Sequence, residues 1–129
     1  MRTRFETCAY AALRVVAGLL FLFHGLQKLF GMYGGQVAPM GSLFWVAGVI
    51  ELAGGLLVMV GLLTSIVAFL LSGEMAVAYF TAHLPQAFWP IENQGELAAL
   101  YCFIFLFIAA RGPGAFSLDQ VLRSNRSRA

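Results

Sequence analysis

The chain has 129 residues, 60% of them hydrophobic and 11% charged, with a formal net charge of +2 and a mean hydropathy of +0.83. That balance lies outside the range of a soluble domain. The small basic excess reads as contact with anionic lipid headgroups and not as nucleic-acid binding.

Four apolar runs set the layout: Cys8–Leu29, Leu43–Leu63, Ile66–Leu84 and Leu97–Ala110. A helix needs about 20 residues to cross a hydrocarbon core of about 30 Å. The first three runs meet that length. The fourth is short, and Glu96 and Arg111 at its ends can reach the interfaces and extend it. Backbone groups in lipid must be satisfied within each segment, so helices are expected throughout. The predicted fold is all-α, an integral membrane bundle of four transmembrane helices. It forms one domain over residues 1–129, with spans at about 7–30, 43–63, 65–84 and 96–111. The first run is too long for a cleaved signal peptide and is interrupted by Arg14.

Basic residues give the orientation. Arg2 and Arg4 precede the first span, and Arg111, Arg123, Arg126 and Arg128 follow the last. Segments 30–42 and 85–95 carry no Lys or Arg. Four spans put both termini on one side, and the positive-inside rule makes that side cytoplasmic.

The first helix carries its polar groups on one stripe. At about 100° per residue, Arg14 and Lys28 lie only about 40° apart, and His24 is one turn before Lys28. Gly18 and Gly25 share that face. In the second run Gly48, Gly54 and Gly55 flank Glu51, and such small residues let membrane helices approach closely. Gly61 to Ser65 reads as a tight turn that makes the second and third helices antiparallel neighbours. In the third run Glu74, Ala78 and Thr81 share a face. His83 is about 180° from Glu74, so it faces the outer interface unless a kink near Pro85 turns it inward.

The segment Leu84 to Pro90, aromatics among prolines, reads as an interfacial stretch on the outer face. Gly112-Pro113-Gly114 ends the fourth helix, and Ser117-Leu118-Asp119 can cap a short amphipathic helix on the inner surface.

Buried charge marks the candidate centre, because an ionised group at a helix centre costs about 2.5–3.5 kcal/mol. Arg14, Glu51 and Glu74 are expected to form a buried polar cluster in which Arg14 bridges one or both glutamates. That cluster either fixes helix register or holds a proton or ligand. Cys8 and Cys102 are single and read as inert core residues; no CxxC pair supports dithiol exchange. Two histidines without matched depth make neither a haem nor a metal site.

The order and spacing of several elements carry a resemblance. They are Arg14-Val-Val-Ala-Gly18 with Phe21, Gly25 and Lys28; Glu51-Leu-Ala-Gly54-Gly55 with Gly61; and Glu74-Met-Ala76 with His83. Asn93-Gln-Gly95-Glu96 with Tyr101 and Gly112-Pro-Gly114 with Ser117 and Asp119 complete the set. Together they resemble the DoxX family of small bacterial membrane proteins with four helices. The resemblance implies an accessory subunit of a membrane redox system, in the bacterial inner membrane, with no built-in cofactor and a quinone or similar lipophilic small molecule as ligand. If enzymatic, the chain would be part of a quinone-linked oxidoreductase. Partners on this reading are membrane lipids, a redox partner protein and further copies in a homo-oligomer, and no nucleic acid.

His24 and Lys28 then offer donors to a quinone head, with His83 and Glu96 nearby and Trp89 with Phe88 as a lid. The rival reading is a non-enzymatic scaffold or transporter-like protein whose buried charges serve folding or proton-coupled passage.

Overall fold

The computed structural model describes residues 3–128; Arg2, whose charge enters the orientation argument, lies outside them. Helix α1, Arg4–Phe30, begins with a capping box. The Thr3 hydroxyl accepts from Glu6 N–H at 3.1 Å, and the Glu6 carboxylate accepts from Thr3 N–H at 3.2 Å. It ends at Gly31, whose φ of +65° is left-handed.

Ser42 caps α2, Leu43–Val60, by accepting from Trp45 N–H, and Gly61 ends it at φ +75°. Helix α3, Thr64–Ala78, runs into a π-helical turn at Tyr79–His83. A short α4, Pro90–Asn93, leads to α5, Glu96–Arg111, and α6, Leu118–Arg126, follows.

The fold is all-helical, with no strand among the described residues. Among the described residues three helices are long and apolar enough to cross a membrane: Arg4–Phe30, Leu43–Val60 and Thr64–His83. Four crossings were expected. The Glu96–Arg111 helix has 16 residues, cut to that length by Gly95 before it and Gly112-Pro113 after it.

Glycines decide how α1 meets α2. A Cβ added at Gly18 would stand 2.6 Å from Gly55 O, and one at Gly25 would stand 2.5 Å from Leu52 N and 2.8 Å from Gly48 O. The backbones therefore touch directly, as the glycine stripes predict, and no larger side chain fits between them. These contacts hold one antiparallel register along the whole pair: Gly18 faces Gly55, Gly25 faces Gly48, and Arg14 faces Met59.

The bundle consists of two tight pairs, α1 with α2 and α3 with α5, meeting across a looser α2–α3 seam. The buried face of α5 is Ala98, Tyr101, Phe105 and Ile108, at helical spacing. Phe21 of α1 crosses between the pairs to pack on Phe105 at 4.9 Å and Tyr101 at 5.3 Å, ring centroid to centroid. This aromatic cluster fills the contact between α1 and α5.

Helix α6 is tied to the α2–α3 turn. The Asp119 carboxylate accepts from Leu63 N–H at 2.9 Å, Thr64 N–H at 3.0 Å and the Thr64 hydroxyl at 2.9 Å, while Asp119 N–H donates to Gly61 O at 2.9 Å. Leu63 sits in the left-handed region and gives α3 no side-chain cap of its own. Asp119 supplies that cap from the far end of the chain. Burial alone would push this carboxyl upward. The hydrogen bonds from Thr64 and Leu63, with the charge of Arg123, outweigh it and hold Asp119 below its ordinary range.

Candidate functional site

Arg14 is fully buried, but it meets neither glutamate. Its guanidinium donates to Val58 O at 2.9 Å and Met59 O at 2.8 Å, at the end of α2. It also donates to Phe116 O at 2.8 Å and, more distantly, to Ala115 O at 3.4 Å. The expected bridge to Glu51 or Glu74 is thus corrected, and the cause is register. With Arg14 opposite Met59, Glu51 lies about two turns further out along α2. The orphan carbonyls at a helix C-terminus are natural partners for a cation.

The partner of Glu51 is Lys28, at 2.6 Å. Side chains lean toward the N-terminus of their own helix. In an antiparallel pair, Lys28 on α1 and Glu51 on α2 therefore lean toward one another. The carboxylate side chain is only 3% exposed and the lysine 28%. Glu51 Oε2 has no hydrogen-bond partner, and neither oxygen of Glu74, on the opposite helix pair, has one either. All three oxygens are buried. Arg14, Glu51 and Glu74 thus do not form one cluster: Arg14 belongs to the inner end, and the glutamates share a separate site with Lys28.

That site is hollow. A cavity of about 310 Å³ lies outward of the Phe21–Tyr101 cluster, lined by His24, Lys28, Glu51, Met75 and His83 among others. A second space of about 190 Å³ between α2 and α3 shares Lys28, Glu51, Phe44 and Met75 and adds Glu74. It continues past Val46, Ile50 and Val77, apolar side chains that are exposed on the outside of the bundle. The two spaces are lobes of one site centred on the Lys28–Glu51 pair.

His83 reaches this cavity, contrary to the helical-wheel expectation. The π turn, closed by Leu84 N–H donating to Tyr79 O at 2.9 Å, shifts the angular register and swings the imidazole inward. Its Nδ1 lies 3.1 Å from Asn93 O. A carbonyl only accepts, so Nδ1 carries the hydrogen, and in the neutral ring Nε2 is then an acceptor.

Trp89 and Glu96 do not line the cavity; Trp89 is exposed and packs edge-on against Phe88, so the expected lid is absent from this arrangement. Cys8 is exposed and not a core residue, while Cys102 is half-buried beside Ser72, whose hydroxyl donates to the Cys102 carbonyl at 2.7 Å.

Two site residues escaped the sequence reading. Tyr101 forms part of the cavity floor and packs against His24 and Phe21; its helical spacing with Ala98 and Phe105 was the available signal. Asn93 is buried and organises the outer connection. Its amide donates to Ala87 O at 2.9 Å and its carbonyl accepts from Gly95 N–H at 2.8 Å. A Cβ on Gly95 would stand 2.7 Å from Asn93 Oδ1 and 2.9 Å from His83 Cβ, so only glycine lets this loop hold His83 in place.

Apolar helices of spanning length around a polar, partly unsatisfied hollow define a helical membrane protein with an internal polar cavity. The DoxX family pattern matches residues 9–84, and the chain belongs to that family. It is 44% identical over 117 residues to an "Uncharacterized protein" of Haemophilus influenzae, covering 85% of this chain and 87% of that one. It is 33% identical over 112 residues to the "Putative oxidoreductase CatD" of Bacillus subtilis, covering 83% and 81%. It is 30% identical over 130 residues to the "Uncharacterized membrane protein Rv3486" of Mycobacterium tuberculosis, covering 85% and 78%. No solved structure matches it.

Proposed function

We propose that this chain is an inner-membrane accessory subunit of a redox system, binding a quinone or similar lipophilic ring molecule at Lys28, Glu51 and Glu74 and working with a redox partner protein. One observation carries the reading. A hollow in an otherwise apolar bundle is rimmed by a lysine and by three buried carboxylate oxygens without partners, and it continues to the outside between α2 and α3. Buried polar atoms are normally satisfied, and those that are not mark a place where something else completes them. A ring headgroup fits the polar lobe, and its tail can run past Val46, Ile50 and Val77 into lipid. The oxidoreductase class in the printed name of the Bacillus subtilis relative agrees with this reading.

On this reading α5 is a fourth crossing. At about 24 Å it is short for a bilayer, and Glu96 and Arg111 stand at its ends to meet the interfaces. Both termini are then cytoplasmic, with Arg4, Arg111 and the arginines of α6 on that side and no Lys or Arg in 30–42 or 85–95.

The rival, a scaffold or proton-coupled passage, draws on the same unpartnered Glu74. The Phe21–Tyr101–Phe105 cluster and the Arg14 clamp, which fill the bundle inward of the cavity, weigh against passage. Extraction of the purified protein followed by mass spectrometry separates the two. A stoichiometric quinone-class molecule is expected; a bundle carrying phospholipid alone overturns the proposal.

A further inference from the structure

The buried polar atoms of the cavity that lack partners are all carboxylate oxygens, Glu51 Oε2 and both oxygens of Glu74, and that bears on which oxidation state of such a ring would be held. Nε2 of His83 adds an acceptor when the imidazole is neutral, since Nδ1 already donates to Asn93 O. On the donor side, Lys28 spends one N–H on Glu51 Oε1 at 2.6 Å and has two left, and His24, Gln94 and Tyr101 in the lining carry further N–H and O–H groups. A quinone brings two carbonyl acceptors and no donor. It could use these donors but would leave every carboxylate oxygen unsatisfied beside it, and a buried polar atom without a partner is costly. A hydroquinone brings two O–H donors and keeps lone pairs on the same oxygens.

Resting on the binding reading of this site, we propose that the cavity selects the dihydroxy, reduced form of the ring over the quinone. One ring hydroxyl donates to Glu74 and accepts from Lys28, and the ring lies against Met75 with Tyr101 beneath it. Glu51 Oε2 is within the same lining and takes the second donor where the ring presents one. Glu74 is the discriminating residue, because both of its oxygens lack partners and, of the two glutamates, it is the one on the helix pair facing Lys28. Hydrogen-bonding sites reject a ligand that lacks the matching group far more strongly than apolar sites reject a changed shape.

The test compares three short-chain ligands by calorimetry on the protein in lipid nanodiscs, under anaerobic conditions: a benzohydroquinone, its benzoquinone, and its dimethyl ether. The hydroquinone is expected to bind about tenfold tighter than either of the others, about 1.4 kcal/mol. Glu74→Gln, which keeps one acceptor and adds donors, should weaken the hydroquinone, strengthen the quinone and close that gap, with the melting temperature confirming a folded bundle.

Quinone binding as tight as hydroquinone overturns the selectivity and leaves the site standing; a proton held on Glu74 would produce that result. Equal binding of the dimethyl ether shows shape alone and also overturns it. An unchanged preference in folded Glu74→Gln removes Glu74 as the selector. Failure of all three ligands to bind removes the binding reading along with the selectivity.

Discussion

Arg14 and Glu74 are both ionisable groups inside apolar helices, and the bundle treats them in opposite ways. Carbonyls of two separate segments take the Arg14 guanidinium, at the inner end where α1, the end of α2 and the connection before α6 converge. Glu74 faces a hollow with both oxygens unpartnered. Arg14 makes its hydrogen bonds through both terminal nitrogens and leaves only Nε–H unpartnered, so it holds structure together; a carboxylate with both oxygens unpartnered is held in place by structure for some other use. The two ends of this bundle therefore differ in purpose more than in polarity.

Replacing Arg14 by Leu should give the largest effect, a loss of about 3 kcal/mol, because it strips the carbonyls of Met59 and Phe116 of the guanidinium and leaves Val58 O with only Gly61 N–H. Thermal unfolding in detergent measures it. Adding Glu51→Gln or Glu74→Gln should recover no more than the same change gains in the wild-type background. A larger recovery by either would mean that Arg14 and a carboxylate do pair, and the division into two regions would fall.

Asp119→Ala should cost less, about 1 kcal/mol, as the loss of a helix cap. Its pH dependence sharpens the assignment. The folded carboxyl is held below its ordinary value of 3.8, so its contribution is present above that pH and disappears as pH falls through the lower folded value. Melting curves of the wild type and of Asp119→Ala should differ at neutral pH and converge below 3.8. A constant gap down to the most acid pH would show that the carboxylate charge is not what ties α6 to the turn.

The smallest stability effect belongs to Glu74→Gln, whose melting temperature should equal the wild-type value or exceed it. No hydrogen bond is lost, and an uncompensated charge leaves a low-dielectric interior. A drop comparable to that of Arg14→Leu would give Glu74 a structural role and erase the contrast.

Three apolar helices of spanning length and the close α1–α2 approach were legible because hydropathy and glycine spacing are local signals. The partner of Arg14 was not. Matching charge to charge by depth overlooks the carbonyls at helix ends, which are invisible in a list of side chains. His83 was misplaced for a related reason: nothing in Tyr79–His83 announces a π turn, and one widened turn is enough to redirect a side chain that a regular helix would aim away. The Lys28–Glu51 pair could have been found by applying the lean of side chains to the glycine register, since both ingredients are in the sequence.

The Asp119 clamp has a consequence for assembly. Thr64 starts α3, yet its cap arrives 55 residues later in the chain. During synthesis the α2–α3 hairpin therefore enters the bilayer with an unfinished turn, and Arg14 waits longer still, 102 residues, for Phe116. Both are completed when the same short stretch, residues 115–119, emerges. The stretch acts as the closing stitch of the bundle: a chain interrupted before it would own every long helix and still lack what locks them, giving quality-control proteases a clear mark of an unfinished molecule.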